Sequence, residues 1–190
     1  MENNILQNNQ NDFYELKRES QRKQKKGLPF IMSSVILWAL ITILQATDLR
    51  LGLKNLFTFC CAALLLPLAA LFAKVIRSDT FKKSVNPFDK LGILCTVNQV
   101  LYILIVMWAF DRKPEAMMML FAMVFGAHLL PFGWLYDSKA YLIAAVLGSI
   151  GPLILAMTLG NFATGIFMTL LELALTIMLF HEVKTLEKRE

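Results

Sequence analysis

Six blocks of about twenty predominantly apolar residues, each set off from the next by a polar connection, leave this sequence few folds to choose from. A helix rises about 1.5 Å per residue, so a block of that length spans the roughly 30 Å of hydrocarbon in a bilayer. Lipid offers a backbone no hydrogen bonds, so a spanning segment must satisfy its own N–H and C=O groups, as a helix or within a closed barrel. The apolar residues here are continuous rather than alternating, which selects helices over barrel strands. The expected fold is all-α, a polytopic transmembrane helical bundle. A soluble chain of 190 residues has too little interior for this composition, since 57% of residues are hydrophobic and only 17% are charged.

Residues 1–27 form a mainly polar, basic segment. The first span, about 28–47, opens on Pro29, where a missing N–H costs nothing. No small-residue cleavage pattern follows it, so it is expected to be a retained signal anchor. The second span, about 55–76, carries Pro67 near its middle and Lys74 close enough to its end to snorkel. Residues 77–90 hold too many charges for hydrocarbon and contain the turn signal Asn86-Pro87. The third and fourth spans, about 91–110 and 116–135, flank the polar DRKPE. Gly160-Asn161 divides the last apolar stretch into a fifth span, about 140–159, and a sixth, about 162–180, leaving 181–190 as a polar tail.

Lys and Arg are unequally shared between the two sides this topology creates. Fifteen fall in the N-terminal segment, the loop after the second span with Lys74, the loop after the fourth and the tail, against four on the other side: Arg50, Lys54, Arg112 and Lys113. Positive charge favours the cytoplasm, so the N-terminus and C-terminus are both expected there. The run Lys17 to Lys26 (KRESQRKQKK) is read as topogenic, its alternative role being attraction to anionic lipid of the bilayer. The net charge of +5 does not indicate nucleic acid, because the basic residues sit at span ends and no aromatic-basic recognition motif accompanies them. Cys60, Cys61 and Cys95 lie inside apolar blocks without metal-ligand spacing and are read as packing residues.

Three stretches carry a resemblance: KGLPFIMSSVILW at Lys26 to Trp38, NQVLYILIVMWAF at Asn98 to Phe110, and FGAHLLPFGWLYDSKAY at Phe125 to Tyr141. Together they resemble an uncharacterised domain-of-unknown-function family of small multi-spanning membrane proteins from Gram-positive bacteria. The resemblance covers residues 15 to 142 well and the last two spans weakly. It implies a multi-pass protein of the bacterial plasma membrane and brings no catalytic or binding residues with it.

Ionisable groups at membrane depth are costly and mark interior or functional positions. Glu172, His128, Asn98 and Gln99 each lie eleven or twelve residues from the outer end of their spans, roughly 17 Å deep by helical rise. Gly165, Thr169, Glu172 and Thr176 share one face of the sixth span, while Cys95, Asn98, Gln99 and Tyr102 share one of the third. Both faces are expected to point inward, bringing Glu172 to His128, Asn98 or Gln99. Pro131 leaves the Ala127 carbonyl without its helical donor, beside His128. The bland alternative is a neutral Glu172 and a network that only fixes packing.

No catalytic motif is present. Gly148-Ser149-Ile150-Gly151 has the order GSxG rather than the GxSG of intramembrane serine proteases, and His128 precedes it. HExxH is absent, and His181 lies too far along its span to pair with His128 on a haem, so neither a metal site nor a cofactor is expected. Two readings remain. One is a non-enzymatic binding, support or regulatory bundle with an unknown protein or small-molecule partner. The alternative is a small proton- or ion-coupled transporter using the midplane cluster, with Pro67 and Pro152 at corresponding positions of inverted halves.

Overall fold

A computed structural model describes residues 2–188 and is helical throughout, with no strand among the described residues. Met1, Arg189 and Glu190, the extremities of the two terminal segments, lie outside them. The elements run α1 (Glu2–Lys23), a short 3-10 turn (Lys25–Gly27), α2 (Leu28–Gln45), α3 (Leu51–Ala63), α4 (Leu65–Val75), α5 (Pro87–Arg112), α6 (Pro114–Ala127), α7 (Leu129–Leu135), α8 (Lys139–Thr158) and α9 (Gly160–Glu187). Six segments are long and apolar enough to cross a membrane: Lys25–Gln45, Leu51–Val75, Pro87–Arg112, Pro114–Leu135, Lys139–Thr158 and Gly160–Glu187.

Prolines explain the internal breaks. Pro67 cannot donate to the carbonyl of Ala63, and the second span divides at Leu64 into α3 and α4. Pro131 cannot donate to Ala127, and the fourth span divides at His128 into α6 and α7. Pro152 has no such effect, since α8 runs unbroken from Lys139 to Thr158. The correspondence between Pro67 and Pro152 expected of inverted halves is therefore not matched in their backbone geometry.

Several ends differ from the sequence reading, the second span beginning at Leu51 rather than near residue 55. The third span begins at Pro87, because Asn86 caps it: its Oδ1 accepts the Phe88 N–H at 2.9 Å, and Pro87 supplies a first residue already fixed in helical φ. The last helix continues to Glu187 rather than ending near Phe180, since no Gly or Pro interrupts the polar tail.

At the centre, α2 packs along α9 on one flank and against α4 and α3 on the other. On α9's other flank lies α8, which also meets α6 and α7, while α5 occupies an edge against α6 and α7. The closest approach joins α6 and α8. A Cβ built on Gly126 would lie 2.2 Å from the carbonyl carbon of Gly148 and 2.3 Å from its oxygen. That oxygen is the carbonyl that Pro152, four residues on, cannot satisfy. Helices in lipid associate by close contact of this kind, and the small residues Ala144, Ala145, Gly148 and Gly151 give α8 the surface for it. Gly126→Ala would drive a methyl into backbone and is expected to destabilise the bundle by about 1–3 kcal/mol, the usual range for overpacking. Gly148→Ala meets Gly126 only at 3.0 Å and costs less. Thermal unfolding in detergent checks the order: Gly126→Ala must lower Tm more than Gly148→Ala.

Candidate functional site

Burial divides the four midplane candidates. Glu172 lies fully buried where α9 crosses α2, and its partner is Ser34, whose Oγ sits 2.5 Å from Glu172 Oε2 and 2.7 Å from the Ile31 carbonyl oxygen. A serine hydroxyl has one proton, so it cannot donate to both. The contacts are satisfied when Ser34 donates to Ile31 and accepts from a protonated Oε2. Oε1 is buried without a hydrogen-bond partner among the described residues. One turn nearer the other end of the same seam, Thr42 and Thr169 approach through their hydroxyls at 3.1 Å, and a Cβ on Gly165 would lie 2.7 Å from Thr42 Oγ1. The face Gly165-Thr169-Glu172 thus points inward as expected, but it meets α2.

His128 is elsewhere. Sitting at the α6–α7 break, it directs Nδ1 to the carbonyl of Phe125 in its own preceding turn and its ring edge to Phe125 and Phe132. The side chain thereby occupies a backbone acceptor near the kink, a local role that needs no partner helix. Asn98 is exposed and Gln99 half-buried on α5, and neither amide makes a hydrogen bond among the described residues. The expected cluster of Glu172, His128, Asn98 and Gln99 therefore does not form. The physical reason is the seam α5 uses: Phe88, Asp89, Gly92, Val106 and Ala109 are its buried positions, Gln99 lies half-buried on the face of Gly92 and Val106, and α5 packs on α6 and α7 rather than on α9. Among the described residues α5 makes at most marginal contact with α9.

The densest polar assembly lies at the end of the bundle where α1 docks. Lys17 Nζ bonds Asp137 Oδ1 at 2.7 Å and stands 4.4 Å above the Trp134 ring. Ser20 Oγ and Gln24 Nε2 both donate to Asp89 Oδ1 at 2.5 Å. Gln24 in turn accepts from the Tyr136 hydroxyl at 2.8 Å, and Gln21 donates to the Leu135 carbonyl and to Asp137. Lys26 Nζ bonds Glu182 at 2.7 Å, which also accepts from Ser138. Asn86 ties its side-chain amide to Leu16 O and Glu19, and Lys23 and Asn86 beside it hold the Glu19 carboxyl below its ordinary value. A left-handed turn aims all this: Lys25, Lys26 and Gly27 have φ of 46°, 50° and 71°. The Tyr141 hydroxyl clamps the turn by donating to the Lys26 carbonyl at 2.8 Å, and a Cβ at Gly27 would stand 3.0 Å from that hydroxyl.

Sequence reasoning left α1 without structure and gave its basic run to topology or to lipid. Among the described residues at least four of the six basic residues in Lys17–Lys26 are also ion-paired within the chain, Lys17 to Asp137, Lys23 to Glu19, Lys25 to Glu187 and Lys26 to Glu182. The signal that could have shown the helix is the lack of any Gly or Pro from Glu2 to Lys23, together with the Glu19–Lys23 spacing of four. Ser34 was equally legible as one of two adjacent serines inside an apolar block. Among the described residues no group of three or more His, Cys, Asp or Glu is placed to hold a metal ion.

Comparison with known proteins adds a family. A family model described as a family of unknown function (DUF7010) matches residues 13–182, so the likeness runs through the last two spans rather than fading at residue 142. No curated protein and no solved structure matches the chain. With 170 consecutive residues under that model, α1's docking segment and all six apolar helices included, the chain belongs to DUF7010, a family of unknown function.

Proposed function

We propose that the chain is a six-span, non-enzymatic binding or support bundle of the bacterial plasma membrane, with both termini in the cytoplasm. The six apolar helices support the membrane placement. The fifteen-to-four distribution of Lys and Arg supports the orientation, because both chain ends, the 77–90 loop and the short turn after α7 carry the excess. The plasma membrane of a Gram-positive bacterium rests on the resemblance of the three quoted stretches.

One observation carries the binding role: α5 has the smallest buried share of the six spans, 11% of its apolar window, and on its outward side stands Asn98. Leu94, Val97, Leu101 and Ile105 surround that amide with exposed apolar side chains. An amide carries two donors and an acceptor, none of which hydrocarbon can satisfy, so a partner helix from another membrane protein would gain both close packing and hydrogen bonds there. The carrier reading keeps one observation in its favour, the buried Oε1 of Glu172 without a hydrogen-bond partner among the described residues. Against it, Glu172 is sealed from solvent between two tightly packed helices.

Four outcomes are expected. With Cys60, Cys61 and Cys95 replaced by Ala, single cysteines at Val85 and Thr185 should react with a membrane-impermeant reagent only after lysis, and one at Arg112 should react in intact cells; labelling of position 185 from outside would reverse the orientation. A photo-crosslinking residue at Asn98, expressed at native level, should capture a discrete protein adduct that the same residue at Ile154 does not; equal yields at both sites would remove the binding face. Glu172→Gln should keep the fold, because its amide N–H can donate to Ser34 as the protonated carboxyl does, and should rescue a deletion phenotype fully. Loss of rescue with normal folding would favour the carrier. Glu172→Leu, by contrast, should destabilise the bundle by about 1–3 kcal/mol by leaving a buried hydroxyl without its partner.

A further inference from the structure

The end of the bundle opposite α1 holds a cavity of about 290 Å³ lined by Gln45, Leu49, Leu51, Lys54, Asn161 and Phe162. Resting on the six-span reading above, it lies where α2 ends and where α3 and α9 begin, at the outer membrane–water boundary. We propose that this cavity binds a phosphate oxyanion, presented as the headgroup of an anionic phospholipid.

Every polar element of the lining can offer a proton. Lys54 is a fixed cation, and its Nζ uses one of three donors on the Gln45 carbonyl at 3.0 Å. Gln45 is 8% exposed, and its Nε2 is buried with no hydrogen-bond partner among the described residues. Asn161 adds a second amide. Leu51 opens α3 and Asn161 lies in the first turn of α9; neither helix has a side-chain cap or an acidic residue in its first turn. The first N–H groups and the dipoles of two helices are therefore left without a side-chain cap or an acidic neighbour around a lysine, an arrangement suited to an anion. None of the six lining residues is acidic, and Asp48 in the α2–α3 connection is exposed and not among them.

The remaining lining chooses the form of the anion. Leu49 and Phe162 are exposed at the rim, 39% and 47%, and Leu159 and Met157 continue the apolar surface along the adjoining turn. A free inorganic ion gains nothing from such a rim. A lipid phosphate with its glycerol and acyl chains covers it.

The test uses the purified full chain in neutral detergent, with dioleoylphosphatidylglycerol as probe and dioleoylphosphatidylcholine and inorganic phosphate as controls, read by thermal shift and by native mass spectrometry. Phosphatidylglycerol should raise Tm saturably and remain bound, and phosphatidylcholine should do neither. Lys54→Gln and Gln45→Leu should each weaken binding about tenfold, the scale of one charge-assisted hydrogen bond. Lys54→Arg should restore it, which separates lost charge from damaged folding. An equal shift from millimolar inorganic phosphate, abolished by Lys54→Gln, would keep the oxyanion site and reassign its source to a free ion. Unchanged phosphatidylglycerol affinity in Lys54→Gln, or equal binding of phosphatidylcholine, overturns the proposal. Carbonate extraction of cell membranes separates the two failures: a protein released by carbonate refutes the six-span reading, whereas one that stays in the membrane and ignores phosphatidylglycerol refutes only this site.

Discussion

Apolar helices in an apolar solvent gain almost nothing from burying another leucine, so what holds them together is how closely their backbones can approach. Two crossings supply that here. At Gly126 and Gly148, α6 and α8 meet with no room for a methyl group; at Gly165, α9 approaches the Thr42 side chain of α2 so that a Cβ would lie 2.7 Å from its hydroxyl. With α8 packed on α9 between them, these contacts order α6, α8, α9 and α2 into one packed row, and the large buried side chains fill the space that remains. Trp38 lies against Phe121 and Phe125, and Met117, Met118 and Met168 complete that half of the core. The helices outside the row, α3, α4 and α5, are the exposed ones, with 17% burial in the second span and 11% in the third.

A second constraint acts at one end only. Close packing fixes distances between helices but does little against sliding along their axes, whereas a polar network fixes depth. The α1 network does this by joining residues far apart in the sequence: Lys17 with Asp137, Ser20 and Gln24 with Asp89, Lys26 with Glu182. Each bond is modest, and a partly exposed ion pair contributes about 1 kcal/mol or less. Their number, and the contact of Lys17 with Trp134, worth roughly 0.5–2 kcal/mol in a desolvated setting, make the docking of α1 cooperative. The left-handed turn at Lys25–Gly27 belongs to the same assembly, because the clamp from Tyr141 and the pairing of Lys25 with Glu187 and of Lys26 with Glu182 offset two lysines in a conformation unfavourable to L residues.

The spans were legible because apolar length is a one-dimensional property and needs no knowledge of neighbours. The inward face of α9 was legible for the same reason, since Gly165, Thr169 and Glu172 share a helical face whatever lies opposite. What lay opposite was not legible. Glu172 found Ser34 on α2 because the Gly165–Thr42 approach brings those helices together, and Asn98 stayed outside because α5 packs on α6 and α7 through the face of Gly92 and Val106. Depth along a span follows from counting residues, but azimuth between spans depends on which small residues meet, and these are set by pairs. The N-terminal network was missed for a related reason: Asp89, Asp137 and Glu182 read as solvated loop or tail charges until α1 is laid across them.

The contrast between Glu172 and Asn98 bears most directly on what the bundle does. A carboxyl that works as a carrier has to exchange protons with both sides, which needs a water path or a side chain free to swing. Glu172 has neither in this arrangement: it is fully buried at the best-packed crossing, and Ser34 holds it to the backbone of α2 through Ile31. Moving it would open the very contact that orders the row. Asn98 is the reverse case, an exposed amide on the least buried span with no hydrogen bond among the described residues. A polar group sealed inside serves the fold, and one left outside at membrane depth serves something that is not the fold. The proposed binding role, rather than a carrier's, rests on this difference in position between the two.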